Sequence, residues 1–158
     1  MDEIKLMKRF LASFKMGSEM IKNIEKNSKS LEYRKMWIDI LNSFIEHEKS
    51  LTTVMEKLGV DTNVNLSCMQ KMAICMQNMK LKGNDDFELM QFGIEGMEMG
   101  MVGIFKFLYV NLKFDRHFVS EVISIYEEYE KVFHQLVKRA KNVLDFDSKR
   151  TKVEIDEI

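Results

Sequence analysis

Residues 85–113, DDFELMQFGIEGMEMGMVGIFKFLYVNLK, constrain the fold more than any other stretch of the chain. Phe87, Met90, Ile94, Met97, Met101, Ile104, Phe105, Leu108 and Leu112 recur at steps of three and four, the pattern of a helix that buries one face. Gly93, Gly96, Gly100 and Gly103 fall together on roughly the opposite face, at about 100° per residue. A glycine inside a helix costs up to about 1 kcal/mol relative to alanine. Four on one face therefore predict that something packs closely there, either the crossover segment of this chain or the same face of a second subunit. A helix with such a stripe needs other helices to cover it.

The remaining sequence supplies them. Residues 3–26 carry Ile4, Met7, Leu11, Phe14 and Ile21 as a core stripe, widened by Phe10 and Ile24, with Ser18 in its middle. A short polar break follows, and Ser30 is an N-cap candidate. Residues 31–58 hold a seven-residue apolar repeat through Trp37, Leu41, Phe44, Leu51, Met55 and Leu58, interrupted where Glu48 takes a core slot. Gly59 follows as a natural helix stop. Residues 60–84 form the longest connection and contain a short helical segment, 66–81. There Met69, Met72, Met76 and Met79 share a face flanked by Cys68 and Cys75, and the expectation is that this face lies on the rest of the molecule. Gly83 and Asn84 close that segment, and Asp85 or Asp86 caps the long glycine-bearing helix. After a tight connection, residues 116–144 place Phe118, Val122, Ile125, Tyr129, Val132, Leu136, Ala140 and Val143 on one stripe. Residues 145–158 are charge-rich and aperiodic, and are expected to be frayed or extended.

These elements predict an all-α protein with one domain, residues 1–144, and a charged tail, residues 145–158. Four long helices joined by short, long and short connections predict a four-helix bundle whose long middle crossover carries a short extra helix. That is the connectivity of the ferritin-like bundle. The complete lack of proline suits long unbroken helices, and the 14 methionines suit an adaptable core. A net charge of -1 leaves no electrostatic footprint for nucleic acid. The most apolar region, residues 89–112, carries Gln91, Glu95, Glu98 and Lys106, which argues against a membrane span. An acidic start without a following apolar run leads to a cytoplasmic expectation, with both thiols reduced.

Several short stretches carry a family resemblance. They are Phe14-Lys15-Met16-Gly17-Ser18-Glu19, residues 51–59 (LTTVMEKLG), Lys82-Gly83-Asn84-Asp85-Asp86, Gly96-Met97-Glu98 and His134. Across residues 6–140 the chain resembles a bacterial family of ferritin-like four-helix-bundle proteins, distantly similar to rubrerythrins. The resemblance implies the architecture and brings no activity with it.

That architecture raises the question of a di-iron centre. Such a centre takes one inward Glu from each of two helices and a Glu-x-x-His pair from each of the other two. No Glu-x-x-His occurs here, and the only histidines are His47, His117 and His134. Glu48 and Glu98 remain as candidate metal ligands, with Ser18 and Tyr129 as alternative polar partners for Glu48. Glu130 and His134, four apart, form a second pair on an outer face. The methionines and cysteines of residues 66–81 offer soft donors that would select Cu(I). No cofactor is expected, iron being the one the architecture leaves open. The expected function is association with other proteins, without catalysis, as a homodimer that uses Gly93, Gly96, Gly100 and Gly103. The competing expectation is a rubrerythrin-like metal protein with a reduced ligand set.

Overall fold

The computed structural model describes residues 2–110 and 113–156, with side chains to residue 146. Asn111 and Leu112, the latter expected in the apolar stripe, lie outside the described residues. The described residues form α1 (Glu3–Asn27), α2 (Leu31–Lys57), α3 (Cys68–Leu81), α4 (Asp86–Tyr109) and α5 (Arg116–Asp156), with no strand among them. None of these helices is long and apolar enough to cross a membrane.

Local chemistry explains the helix ends. Ser30 caps α2. Past α2, Gly59 takes φ 77°, its N–H donates to the Glu56 carbonyl and the Val60 N–H donates to the Met55 carbonyl. This pair of bonds is the Schellman motif, which only a residue at ease with positive φ completes cheaply. Asp85 and Glu88 form a capping box at the start of α4. The helix of residues 116–144 does not stop at the charged tail, and α5 continues to Asp156. No glycine or proline lies beyond Gly103 to end it.

Directions follow from hydrogen bonds. α1 and α2 pack side by side across a three-residue connection, so they are antiparallel. The Asp86 carboxylate accepts from the Lys29 N–H at 2.8 Å and the Ser30 N–H at 2.9 Å. α4 therefore begins where α1 hands over to α2, and it runs parallel to α2. Between them, residues 58–85 travel back along α1. Lys15 Nζ donates to the Val64 carbonyl, Asn23 Nδ2 to the Ile74 carbonyl and to Gln77 Oε1, and Asn27 Nδ2 to Asn78 Oδ1. The partners advance together, so α3 runs alongside α1 in the same sense. α5 returns against α4. The four long helices thus enclose one core in the order α1, α2, α5, α4, and α3 lies outside on α1.

The core takes Leu11 and Phe14 from α1, Trp37, Phe44, Leu51 and Met55 from α2, Leu89 and Met90 from α4, and Phe118, Ile125 and Leu136 from α5. Each such side chain stabilises the fold by about 1.5–3 kcal/mol on burial. Seven of the eight apolar residues expected from α5 are buried and Val143 is partly so. Ile4, Leu58 and Phe105, expected in core stripes, are exposed. On α2 Trp37, Phe44, Leu51 and Met55 of the expected repeat are buried and Leu41 is partly so, with Met36 and Ile40 added to the buried face. A straight helix drifts by about 20° per heptad, and over the length of α2 that drift moves Leu58 out of the core.

Candidate functional site

At mid-height of the helix assembly one residue from each long helix converges. Phe14 and Phe44 stack with centroids 5.4 Å apart, and Tyr129 meets both rings edge-on at 6.2 and 5.2 Å. Gly100 of α4 lies under the Tyr129 ring, where a Cβ would stand 2.6 Å from Cε1. This aromatic plug fills the level at which a di-iron centre would need carboxylates and imidazoles from four helices. The residues present do not fit that group. Burial in the plug also pushes the Tyr129 hydroxyl well above its ordinary pKa of 10.0, because the phenolate would be desolvated.

The structure does not bring Glu48 and Glu98 together. Glu48 is half-buried and lines a cleft of about 400 Å³ with Lys15, Ser18, Glu19, Lys22 and Lys71. It is not a core residue, which corrects the slot expected for it. The Ser18 hydroxyl donates to the Phe14 carbonyl at 3.3 Å, back along its own helix, and Tyr129 sits in the plug. Glu98 is exposed on α4 and lines a different, shallow cleft with Met99, Val102, Gly103 and Lys106. Among the described residues no group of three His, Cys, Asp or Glu side chains could hold a metal ion. Glu130 does not pair with His134; it accepts the Tyr126 hydroxyl at 3.0 Å. That bond and desolvation raise the Tyr126 pKa. The His134 ring sits edge-on to Phe133 at 5.6 Å.

A polar link at the seam between α2 and α5 involves neighbours of the expected residues. Glu128 of α5 accepts the Ser43 hydroxyl at 2.6 Å and faces His47 Nε2 at 3.5 Å. All three side chains are half-buried between α2 and α5. Hydrogen bonds to a charged group contribute about 1.5–3 kcal/mol in such settings, so the link reads as a clasp between helices. Sequence spacing did not reveal it, because the partners lie 85 residues apart.

The four glycines of α4 divide into two pairs. A Cβ at Gly93 would overlap Trp37 Cη2 and stand 3.2 Å from Leu136 Cδ1, so Gly93 admits α2 and α5 of the same chain. Gly100 admits Tyr129. Gly96 and Gly103 have nothing within 4 Å of a Cβ and face outward. Around them Met99, Val102, Phe105, Tyr109 and Val110 are exposed, Met99 at 75%. For one pair a close neighbour is found inside the chain, but it is α2 and α5 and not the crossover segment expected there, because α3 lies on α1. The other pair belongs to an open apolar surface.

α3 reverses its expected orientation. Its half-buried residues are Gln70, Ala73, Ile74, Gln77 and Asn78, and only Leu81 is fully buried. Asn23 and Asn27 hold this polar side through the bonds given above. Met69, Met72, Met76 and Met79 point away from the core and are 83%, 63%, 54% and 71% exposed, and both cysteines beside them are exposed and free. Asn23 and Asn27 lie four apart on α1, roughly opposite its apolar stripe at about 100° per residue, so their spacing reads as a solvent face and carries no signal for the polar side of α3.

With this geometry in hand, comparison with known protein families, with curated proteins and with solved structures finds no match.

Proposed function

We propose that this chain is a ferritin-like four-helix bundle, with residues 58–85 as its middle crossover, that works by protein association as a homodimer. The contact surface is the outer face of α4. The up, down, down, up course of the long helices supports the fold assignment. The observation that carries the association is the exposed run of Met99, Val102, Phe105, Tyr109 and Val110 beside Gly96 and Gly103. Glycines weaken a helix, and in water nothing offsets that weakness. A second helix lying close against them does.

A second copy satisfies the charge pattern as well. Glu98 and Lys106 flank Val102 four residues to either side. In an antiparallel pair about a two-fold axis near Val102, Glu98 of one subunit faces Lys106 of the other. In this reading the aromatic plug gives rigidity and no side chain is required to act as acid, base or nucleophile.

Light scattering tests the reading. Wild type is expected at twice the 18.7 kDa chain mass. Val102→Glu places two carboxylates at the axis and should give a monomer with the helical circular dichroism of wild type, since the site is exposed in the single chain, and with a lower unfolding temperature as the dimer is lost. A wild type that stays monomeric at its highest soluble concentration removes the proposal.

A further inference from the structure

α3 is built from two copies of one heptad, Cys68-Met69-Gln70-Lys71-Met72-Ala73-Ile74 and Cys75-Met76-Gln77-Asn78-Met79-Lys80-Leu81. The fold sorts each copy the same way. The glutamines and the terminal Ile74 and Leu81 are half-buried or buried, while Cys, Met and Met turn to solvent. Every outward apolar residue on this helix carries sulfur, and every branched aliphatic one points inward. Both cysteines of the chain and four of its 14 methionines lie in these 14 residues. A face meant only to cover another helix would accept leucine or isoleucine; this one takes donors of a single chemical kind.

We propose that the outer face of α3 binds the soft monovalent ion Cu(I), held by the Cys75 thiolate and the Met72 and Met79 thioethers. At about 100° per residue, Met72 and Met79 lie within roughly 60° of Cys75, both on the same side of it. Along the axis they stand about 4.5 Å before it and about 6 Å after it. Methionine's three flexible torsions let both sulfurs close on an ion at the central thiolate, giving a trigonal all-sulfur set. Cys68 lies about 10.5 Å away along the axis, too far to join Cys75 on one ion. The described residues offer no cluster of His, Cys, Asp or Glu for a harder ion. Thiolate and thioether donors select Cu(I). Binding is a ligand exchange: the Cys75 thiol gives its proton to solvent, the thiolate takes the cation, and no electron moves. The site does not depend on association through α4, which lies on another helix.

The experiment is an anaerobic titration of the reduced full-length protein into the coloured Cu(I)–bicinchoninate complex. One equivalent of protein is expected to withdraw one equivalent of Cu(I), with a sulfur-only shell of three in X-ray absorption. Cys75→Ser is expected to weaken competition by roughly 100-fold or more, and Met72→Leu with Met79→Leu by roughly tenfold or more. Cys68→Ser should stay within about threefold of wild type. The helical circular dichroism should be the same in all of them, because the sites are exposed. Failure to compete, or a Cys75→Ser variant that competes like wild type, overturns the proposal. So does a Cys68→Ser loss as deep as that of Cys75→Ser. Mass measured with and without copper separates this result from the dimer: a copper-dependent doubling abolished by Cys75→Ser would mean an ion shared between chains, and would overturn the single-helix site.

Discussion

α5 and α3 carry the same kind of pattern, and the fold turns them opposite ways. Each places apolar residues on one face at three- and four-residue steps. On α5 that face supplies Phe118, Val122, Ile125, Tyr129, Val132 and Leu136 to the core. On α3 the methionine face points outward, and the helix is held to α1 by its amides. Periodicity identifies a face; the partner that meets it decides which way it looks. Against α1 the deciding groups are Asn23 and Asn27.

Substitutions on both helices sharpen this contrast. The largest effect is expected from Leu136→Ala, which removes a side chain with no exposed surface and leaves a cavity beneath Gly93. Chemical denaturation should show a loss of about 2–5 kcal/mol. On α4, which has both an inner and an outer glycine pair, the sign should change between neighbours. Gly93→Ala should lower stability by about 1–3 kcal/mol through overpacking on Trp37. In the monomeric Val102→Glu background, where its Cβ meets open space, Gly96→Ala should raise it by up to about 1 kcal/mol.

Asn23→Ala deletes the bonds to Ile74 and Gln77 and should cost about 1 kcal/mol. Amide exchange should then quicken in α3 while α5 keeps its protection, which would separate the two helices directly. Equal acceleration in both would refute the view that the amides of Asn23 and Asn27 fasten α3 to α1.

The Tyr129 prediction concerns alkaline pH. Its pKa is raised in the folded state above the ordinary 10.0, so its contribution is complete below pH 10 and is lost as the pH climbs above that value, where the unfolded chain ionises first. Stability should fall by about 1.4 kcal/mol by one pH unit above the ordinary value, and Tyr129→Phe should flatten that part of the profile. The smallest effect belongs to Met79→Gln. It changes an exposed side chain and should stay within about 0.5 kcal/mol of wild type.

Much of the architecture was readable before any coordinate. Ser30, Gly59 and Asp85 mark helix ends through side-chain and backbone bonding that acts over a few residues, and each sits within a residue of its expected role. The α5 stripe is read correctly because it runs for many turns with few interruptions. What escaped depends on distant partners. The clasp joins Glu128 to residues of α2, and no spacing within α5 points to it. Gly93, Gly96, Gly100 and Gly103 span an arc of about 80°. The edge of the buried face runs through that arc, and only the arrival of Trp37 and Tyr129 decides which glycines lie inside. Glu48 missed the core by a small rotation of α2, an error inherent in treating a 3.6-residue helix as a 3.5-residue repeat.

The seat of Trp37 on Gly93 has a consequence for how the chain reaches this state. α1 with α2, and α4 with α5, are neighbours in sequence, so each pair can form as a hairpin through local contacts, the kind that assemble fastest. Trp37 belongs to the first hairpin and its glycine seat to the second. The chain has no other tryptophan. Its fluorescence is therefore a clock for the meeting of the two halves, silent while each hairpin zips and changing only when one hairpin finds the other.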